Sequence, residues 1–390
     1  MTGHQRPAAG AWAVLAAALL FLIPGAFTAQ AEAQTPLCTT VPWDPVPVAS
    51  AKGVNVAYEL RLTDCLGDDL ALDGVSVMYG DGAAARYSYQ ELTETDSLAA
   101  AKLVLPADPR PTEEEMAFTG KVPTPELLFW HQYADGDSVP GVIYTRLDFH
   151  QNSTGHSFFT VIAATLSDQT PRVIGSPVKG EGWSALESTT NYTHHRTGIL
   201  TVDGQTRVPQ RFAVDWVKLT GDHQLFSGDD QDISNYPGYG ESLYAVADGP
   251  VVGFLDGVPD NQTPWTTDYP ITRENVAGNH IVQDIGDGVY AVYAHLIPGS
   301  PTVGLGDMLT KGQVIGSLGN SGNSDLPHLH FQLMDSPNVL GSEGLPYLLE
   351  NFTSQGYFDL YSPSWDYTAL DRPTARANLM PDLGEVVDFY

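Results

Sequence analysis

Short runs that alternate apolar with polar residues, broken by Gly and Pro, recur along nearly the whole chain and constrain it to β-structure. V-N-V-A-Y-E-L-R-L-T-D at residues 54–64 has period two, the repeat that sends successive side chains to opposite faces of a strand. G-V-I-Y-T-R-L-D-F at 141–149 and S-F-F-T-V-I-A-A at 157–164 repeat it, and a helical period is scarcely present. The 38 Gly and 28 Pro among 390 residues supply the turns that many short strands require. The expected fold is all-β, with an N-terminal antiparallel β-sandwich over residues 34–185 and a second antiparallel β-core over residues 186–350. G-E-G-W at 180–183 marks the junction, and residues 351–390 read as a C-terminal extension that packs back on a domain. A Pro-rich run at 106–125, containing Glu113, Glu114 and Glu115, reads as a loop or sheet-edge excursion.

Residues 1–33 stand outside this pattern. Arg6, the apolar run at 11–27 and the small-x-small sequences A-Q-A and A-E-A at 29–33 read as a cleavable secretory signal. That implies a secreted or periplasmic protein. No later stretch is long and apolar enough to span a bilayer as a helix, so no stable membrane insertion is expected. The two cysteines, Cys38 and Cys65, are expected to pair as a disulfide in an oxidising compartment. The formal net charge of −29 excludes a nucleic-acid partner held by counterion release.

Three segments carry chemistry: R-F-A-V-D-W at 211–216, Y-A-H-L at 293–296 and P-H-L-H-F at 327–331. His328 and His330 are two apart in a strand-like run, so both imidazoles point to one face. Imidazole is a good zinc ligand and a good proton shuttle. Asp215 sits in an apolar run, where a carboxylate needs a metal or a cation as partner. His295 closes another apolar strand. Each alone is unremarkable; three histidines and an aspartate in apolar strands of one acidic domain are hard to explain as core filling.

The order A-V-D, A-D-G-x-V, Y-A-H-L, G-D-x-x-x-K-G-Q-x-I-G and G-N-S-G-N-S-x-x-P-H-L-H-F resembles the catalytic core of lysostaphin-type peptidoglycan zinc metalloendopeptidases. The resemblance covers about residues 190–350. It implies a lysostaphin-like antiparallel β-core, one zinc per chain and a substrate among the peptide cross-links or stems of peptidoglycan. By the same resemblance, Asp215 and His330 match zinc ligands, and His295 and His328 match the catalytic histidines that assist water attack and steady the oxyanion. Zinc with three protein ligands and an open position would acidify a water and polarise the amide.

One family position departs. The usual H-x-x-x-D motif has Arg211 where its His would stand, and a guanidinium does not ligate zinc. Two alternatives follow. Residues four apart share a strand face, so Arg211 could fill the metal's place and pair with Asp215. Otherwise His194 or His195, in N-Y-T-H-H-R at 191–196, supplies the third ligand while Arg211 turns outward; His195 is the preferred candidate. The first alternative implies a catalytically inactive homologue, acting as a cell-wall-binding module or as activator of a partner wall hydrolase. A purely structural exported sandwich is a third class, disfavoured by the histidine cluster. The acidic run Asp229, Asp230, Asp232, Asn235 and Glu241 reads as a solvated loop rather than a calcium site, and the glycines of G-N-S-G-N-S read as a close approach to the H-x-H strand.

Overall fold

The computed structural model describes residues 39–62, 69–78, 84–93, 100–105 and 124–390. The expected signal segment at 1–33, the Cys38–Cys65 pair and most of the Pro-rich run lie outside these residues. The described chain is nearly all strand, as the alternation requires.

The first unit is a sandwich. One sheet runs Thr39–Thr40, Gly53–Leu62, Glu126–Tyr133, Ala101–Val104, with Val48–Ser50 also on Gly53–Leu62; the other runs Ala84–Ser88, Leu70–Met78, Val142–Gln151, Ser157–Thr165. Period two explains its core. Val56, Tyr58, Leu60 and Leu62 from the first sheet meet Leu72, Val75, Val77, Ile143 and Leu147 from the second. Tyr58 stacks on Phe129 at 4.6 Å, and its hydroxyl lies 2.9 Å from Thr145 Oγ1 across the gap. The outward set of the same strand, Asn55, Ala57 and Glu59, is buried as well. A second unit covers that face.

The second unit is built on a twelve-stranded sheet whose main path runs Arg172–Ile174, Tyr347–Asp359, Glu385–Phe389, Gly180–Leu186, Val214–Lys218, Leu329–Met334, Tyr290–Leu296, Asn279–Asp284, Gly249–Leu255, Met308–Leu309. Its pairs are antiparallel except Arg172–Ile174 with Tyr347–Asp359. Strands from both ends of this region meet in the middle: Gly180–Leu186 lies between Glu385–Phe389 and Val214–Lys218. The last forty residues therefore form part of the sheet. Trp183, Trp216, Tyr293, Phe331 and Tyr347 fill its core, which runs on without a break into Ala57 and Trp130 of the sandwich. Trp130 packs on Phe212 at 5.5 Å. A core shared without a break makes the interface part of the fold rather than a loose contact.

Candidate metal and catalytic site

Three neighbouring strands carry the site. In their register Asp215 lies directly opposite His330, and His330 directly opposite Ala294. Opposed residues of antiparallel strands place their Cβ atoms only about 5 Å apart. His328, two residues before His330, shares its face. The alternation thus assembles Asp215, His328 and His330.

His295 needs a different device. Simple alternation would put it on the face of Ala291 and Tyr293, toward the core. The pairing of its strand slips between Asn279 opposite Leu296 and Ile281 opposite Tyr293, an extra residue that makes a β-bulge. At the bulge His295 takes φ +66, rare for a residue with a Cβ and concentrated at functional sites. The ring is turned onto the other face, 4.8 Å from the His328 ring and 6.0 Å from that of His330.

His195 arrives from a short helical turn, His194–Thr197. Its Nε2 is 3.4 Å from Asp215 Oδ2, and its ring meets the His330 ring edge-on at 4.7 Å. The donor atoms of His194, His195 and Asp215 all lie within 4.8 Å of one another. His195 is buried, whereas His194 is exposed at the rim with Nδ1 3.2 Å from Glu187 Oε2.

Arg211 is not in the site, so the ion pair with Asp215 expected as one alternative does not form. Residues 208–213 turn rather than extend, with Arg211 N donating to Val208 O and Ala213 N to Gln210 O. Arg211 therefore shares no strand face with Asp215. Its guanidinium forks onto Glu59 (2.9 and 3.0 Å), and also donates to Glu343 (2.7 Å) and Gly344 O (3.0 Å).

The tautomers are set from outside. His328 Nδ1–H donates to Leu326 O at 2.8 Å, with Ser324 Oγ at 3.2 Å, and leaves the Nε2 lone pair 3.5 Å from Asp215 Oδ1. His295 Nδ1–H donates to Ser321 O at 2.6 Å. His330 spans the Gln332 side-chain amide, 2.8 Å from Nε2, and Asp215 Oδ1, 2.9 Å from Nδ1. Burial opposes charge on Asp215, but His195 and His328 outweigh it and hold its carboxyl well below the usual range. Burial, with His328 and His330 nearby, pushes His295 well down, and burial lowers His195 against the pull of Asp215. An ionised Asp215 beside His195 and His295, both pushed toward the neutral form, matches what a metal donor set requires. Among the described residues His195 Nδ1, though buried, has no hydrogen-bond partner. The donor set of imidazole nitrogens and a carboxylate fits zinc, which takes N and O ligands; His330 has its Nε2 held by Gln332 as an outer partner, while His195 Nδ1 lacks one among the described residues.

The cluster lies at the floor of a cleft of about 460 Å³, walled by Leu200, Val276, Val339 and Leu340, with Asp325 and Asn323 at its side. Gln332 was not picked out from sequence, although its place two residues after His330 puts it on the same face. Glu59 and Arg196 carried no sequence signal. The glycines of 319–324 approach a different neighbour from the one expected: a Cβ at Gly319 would meet Ile297 N at 2.5 Å and one at Gly322 would meet Gly278 N at 2.3 Å, neither on the H-x-H strand. Asp232 caps the turn Ile233–Asn235, accepting from Ser234 N at 2.9 Å, and remains exposed, a solvated loop.

Residues 232–340 match the family model for Peptidase family M23. That span holds His295, His328 and His330 and begins after Asp215. Among solved structures, the catalytic domain of the antimicrobial peptidase lysostaphin from Staphylococcus simulans is 22% identical, covering 42% of this chain and 84% of its own at a TM-score of 0.22. A putative peptidase M23 from Pseudomonas aeruginosa is 12% identical, with coverage of 72% and 96% and a TM-score of 0.26. A zinc containing peptidase from Vibrio cholerae is 15% identical, with coverage of 72% and 77% and a TM-score of 0.23.

Proposed function

We propose that this chain, which carries a lysostaphin-type domain of peptidase family M23, is an exported zinc metalloendopeptidase that cuts peptide cross-links or stems of peptidoglycan. Asp215, His330 and His195 are the metal ligands in this reading, one zinc per chain, and His295 and His328 are the catalytic pair. The observation that carries it is the convergence of imidazole nitrogens on the buried Asp215 carboxylate, at 2.9, 3.4 and 3.5 Å, with Arg211 drawn away to Glu59. Held there, zinc supplies Lewis acidity to the scissile amide and lowers the pKa of a water.

The remaining work falls to the chain itself. His295 and His328 each have Nδ1–H tied to a backbone carbonyl, so each keeps an Nε2 lone pair on the cleft side, that of His328 3.5 Å from Asp215 Oδ1. A neutral imidazole so fixed can take a proton from water and return it to the leaving amine. The same rings, once protonated, donate toward an oxyanion, where preorganised donors act without reorganising. Val276, Val339 and Leu340 keep bulk water off the reacting atoms and strengthen each polar contact within. No helix among the described residues is long and apolar enough to cross a membrane.

The test is metal content by mass spectrometry on chain purified without chelators, together with release of soluble fragments from purified wall. About one zinc per chain, with fragment release that His330→Ala abolishes, is the expected result. Wall binding with neither zinc nor release would replace this reading with that of an inactive wall-binding homologue.

A further inference from the structure

The turn that presents His195 has little to hold it by itself. It is four residues long, and Thr193 ahead of it makes no side-chain cap. So short a helix is unstable without tertiary support. The support comes from the sandwich. Arg196, next to His195 and almost wholly buried, donates through Nη1 to Glu59 and through Nη2 to Tyr58 O (3.0 Å) and Phe129 O (3.2 Å). Just upstream, Asn191 Nδ2 donates to Leu128 O at 2.9 Å. One turn therefore faces two ways: Arg196 is bolted to the sandwich, and His195 is aimed at Asp215.

The same Glu59 carboxylate takes both the Nε and Nη2 of Arg211. Arg211 stands four residues before Asp215. A single buried group thus holds the arginine out of the site and seats a histidine in it. Two arginines face two carboxylates, Glu59 and Glu343, so the buried cluster closes on neutral charge. Arginine's planar fork makes such a joint geometrically specific.

From this we infer that Glu59, acting through Arg196, is the positioning residue of the metal centre, so that the sandwich supplies the geometry of the third ligand. This rests on His195 as a metal ligand in the reading above.

Zinc itself is the probe, titrated into the full chain against a competing chelator dye, with the visible spectrum of the cobalt-substituted protein recorded alongside. Arg196→Met removes the joint at the turn while Glu59 keeps its two-pronged hold on Arg211. Zinc affinity is expected to fall tenfold or more, within the 10–100-fold range for loss of an outer-shell partner. The cobalt spectrum is expected to change as it does in His195→Ala. The double variant Arg196→Met/His195→Ala should bind no worse than His195→Ala alone, because residues acting as a unit do not add. Glu59→Gln should match Arg196→Met, and Arg211→His added to Glu59→Gln should recover affinity by returning a ligand to the Asp215 segment. If Glu59→Gln does not fold, Arg196→Met and the cycle decide.

An Arg196→Met affinity within twofold of the parent chain, or losses that add in the double variant, overturns the inference and leaves the metal centre standing. An unaffected His195→Ala removes His195 from the ligand set and the inference with it. A parent chain that holds no zinc sinks both.

Discussion

Two buried polar clusters lie back to back in this chain, joined by the same two segments and opposite in character. Arg196 and Arg211 meet Glu59 and Glu343 in one; His195, one residue before Arg196, and Asp215, four residues after Arg211, meet His328 and His330 in the other. In the first, two guanidiniums face two carboxylates and charges cancel, although Arg196 Nε has no partner among the described residues. In the second, three imidazole nitrogens converge on one carboxylate, and His195 Nδ1 lacks a partner among the described residues. A satisfied ionic cluster rigidifies what surrounds it. A carboxylate ringed by imidazoles, with no permanent cation to balance it, is where a metal ion fits. The difference teaches where to look for chemistry: the charge-balanced ion pairs of this molecule are the scaffold, and the carboxylate ringed by imidazoles beside them is the candidate site.

The sharpest way to break that contrast is to remove one member from each side. His330→Ala deletes a proposed ligand; zinc affinity should fall more than ~100-fold, beyond the usual cost of an outer-shell loss, with little change in unfolding by urea. Glu59→Ala should do the reverse. It leaves two arginines in a dry interface, and breaking a buried pair costs about 3–5 kcal/mol, read from the urea midpoint. If His330→Ala lowers stability as much as Glu59→Ala, the division into site and scaffold is wrong.

Acid sharpens the comparison further. Burial works against the charge of Glu59, but Arg211 and Arg196 outweigh it and hold its carboxyl at about 2, against 4.5 for the free group. A carboxyl whose folded value lies below its unfolded value stabilises fully above the unfolded value and loses that stabilisation as the pH falls through the folded one. The loss should therefore run from pH ~4.5 down to ~2 and amount to about 3 kcal/mol. Unfolding measured across that range should show the slope in the parent chain and a smaller one in Glu59→Gln. Equal slopes would mean that the arginines do not hold Glu59 ionised.

How much of this was legible in the sequence differs between the clusters for a physical reason. His328 and His330 could be read as a pair because period two fixes their common face, and Asp215 because an apolar strand makes a carboxylate conspicuous. The all-β class followed from the same period. The aim of His295 could not be read, since it depends on a bulge and a left-handed backbone that alternation does not encode. Arg211 could be recognised as unfit for zinc, but not where it goes: its partner Glu59 is 152 positions away and looks, in V-A-Y-E-L-R-L, like an ordinary solvent-facing residue. It does face out of its sandwich. Only the packing of the second unit on that face makes it buried.

The smallest expected effect on the metal comes from the loop behind His295, and it separates positioning of a proton carrier from binding of zinc. Gly278 has φ +58, and a Cβ there would lie 2.3 Å from Ser321 O and 2.5 Å from Ser321 Oγ. Ser321 O is the acceptor that fixes His295 Nδ1–H at 2.6 Å, and Ser321 Oγ accepts from Asn279 N at 3.0 Å. Gly278→Ala must therefore push the carbonyl that sets the His295 tautomer while touching none of Asp215, His195 and His330. The strain should cost about 1–3 kcal/mol. Zinc content should stay at the parent level, and fragment release should fall roughly 10-fold or more, toward the 10²–10⁴-fold that a positioned proton carrier contributes. Parallel loss of zinc and of release would show that the bulge at His295 and the ligand cluster form one unit, and that the site cannot be divided into a part that holds metal and a part that moves protons.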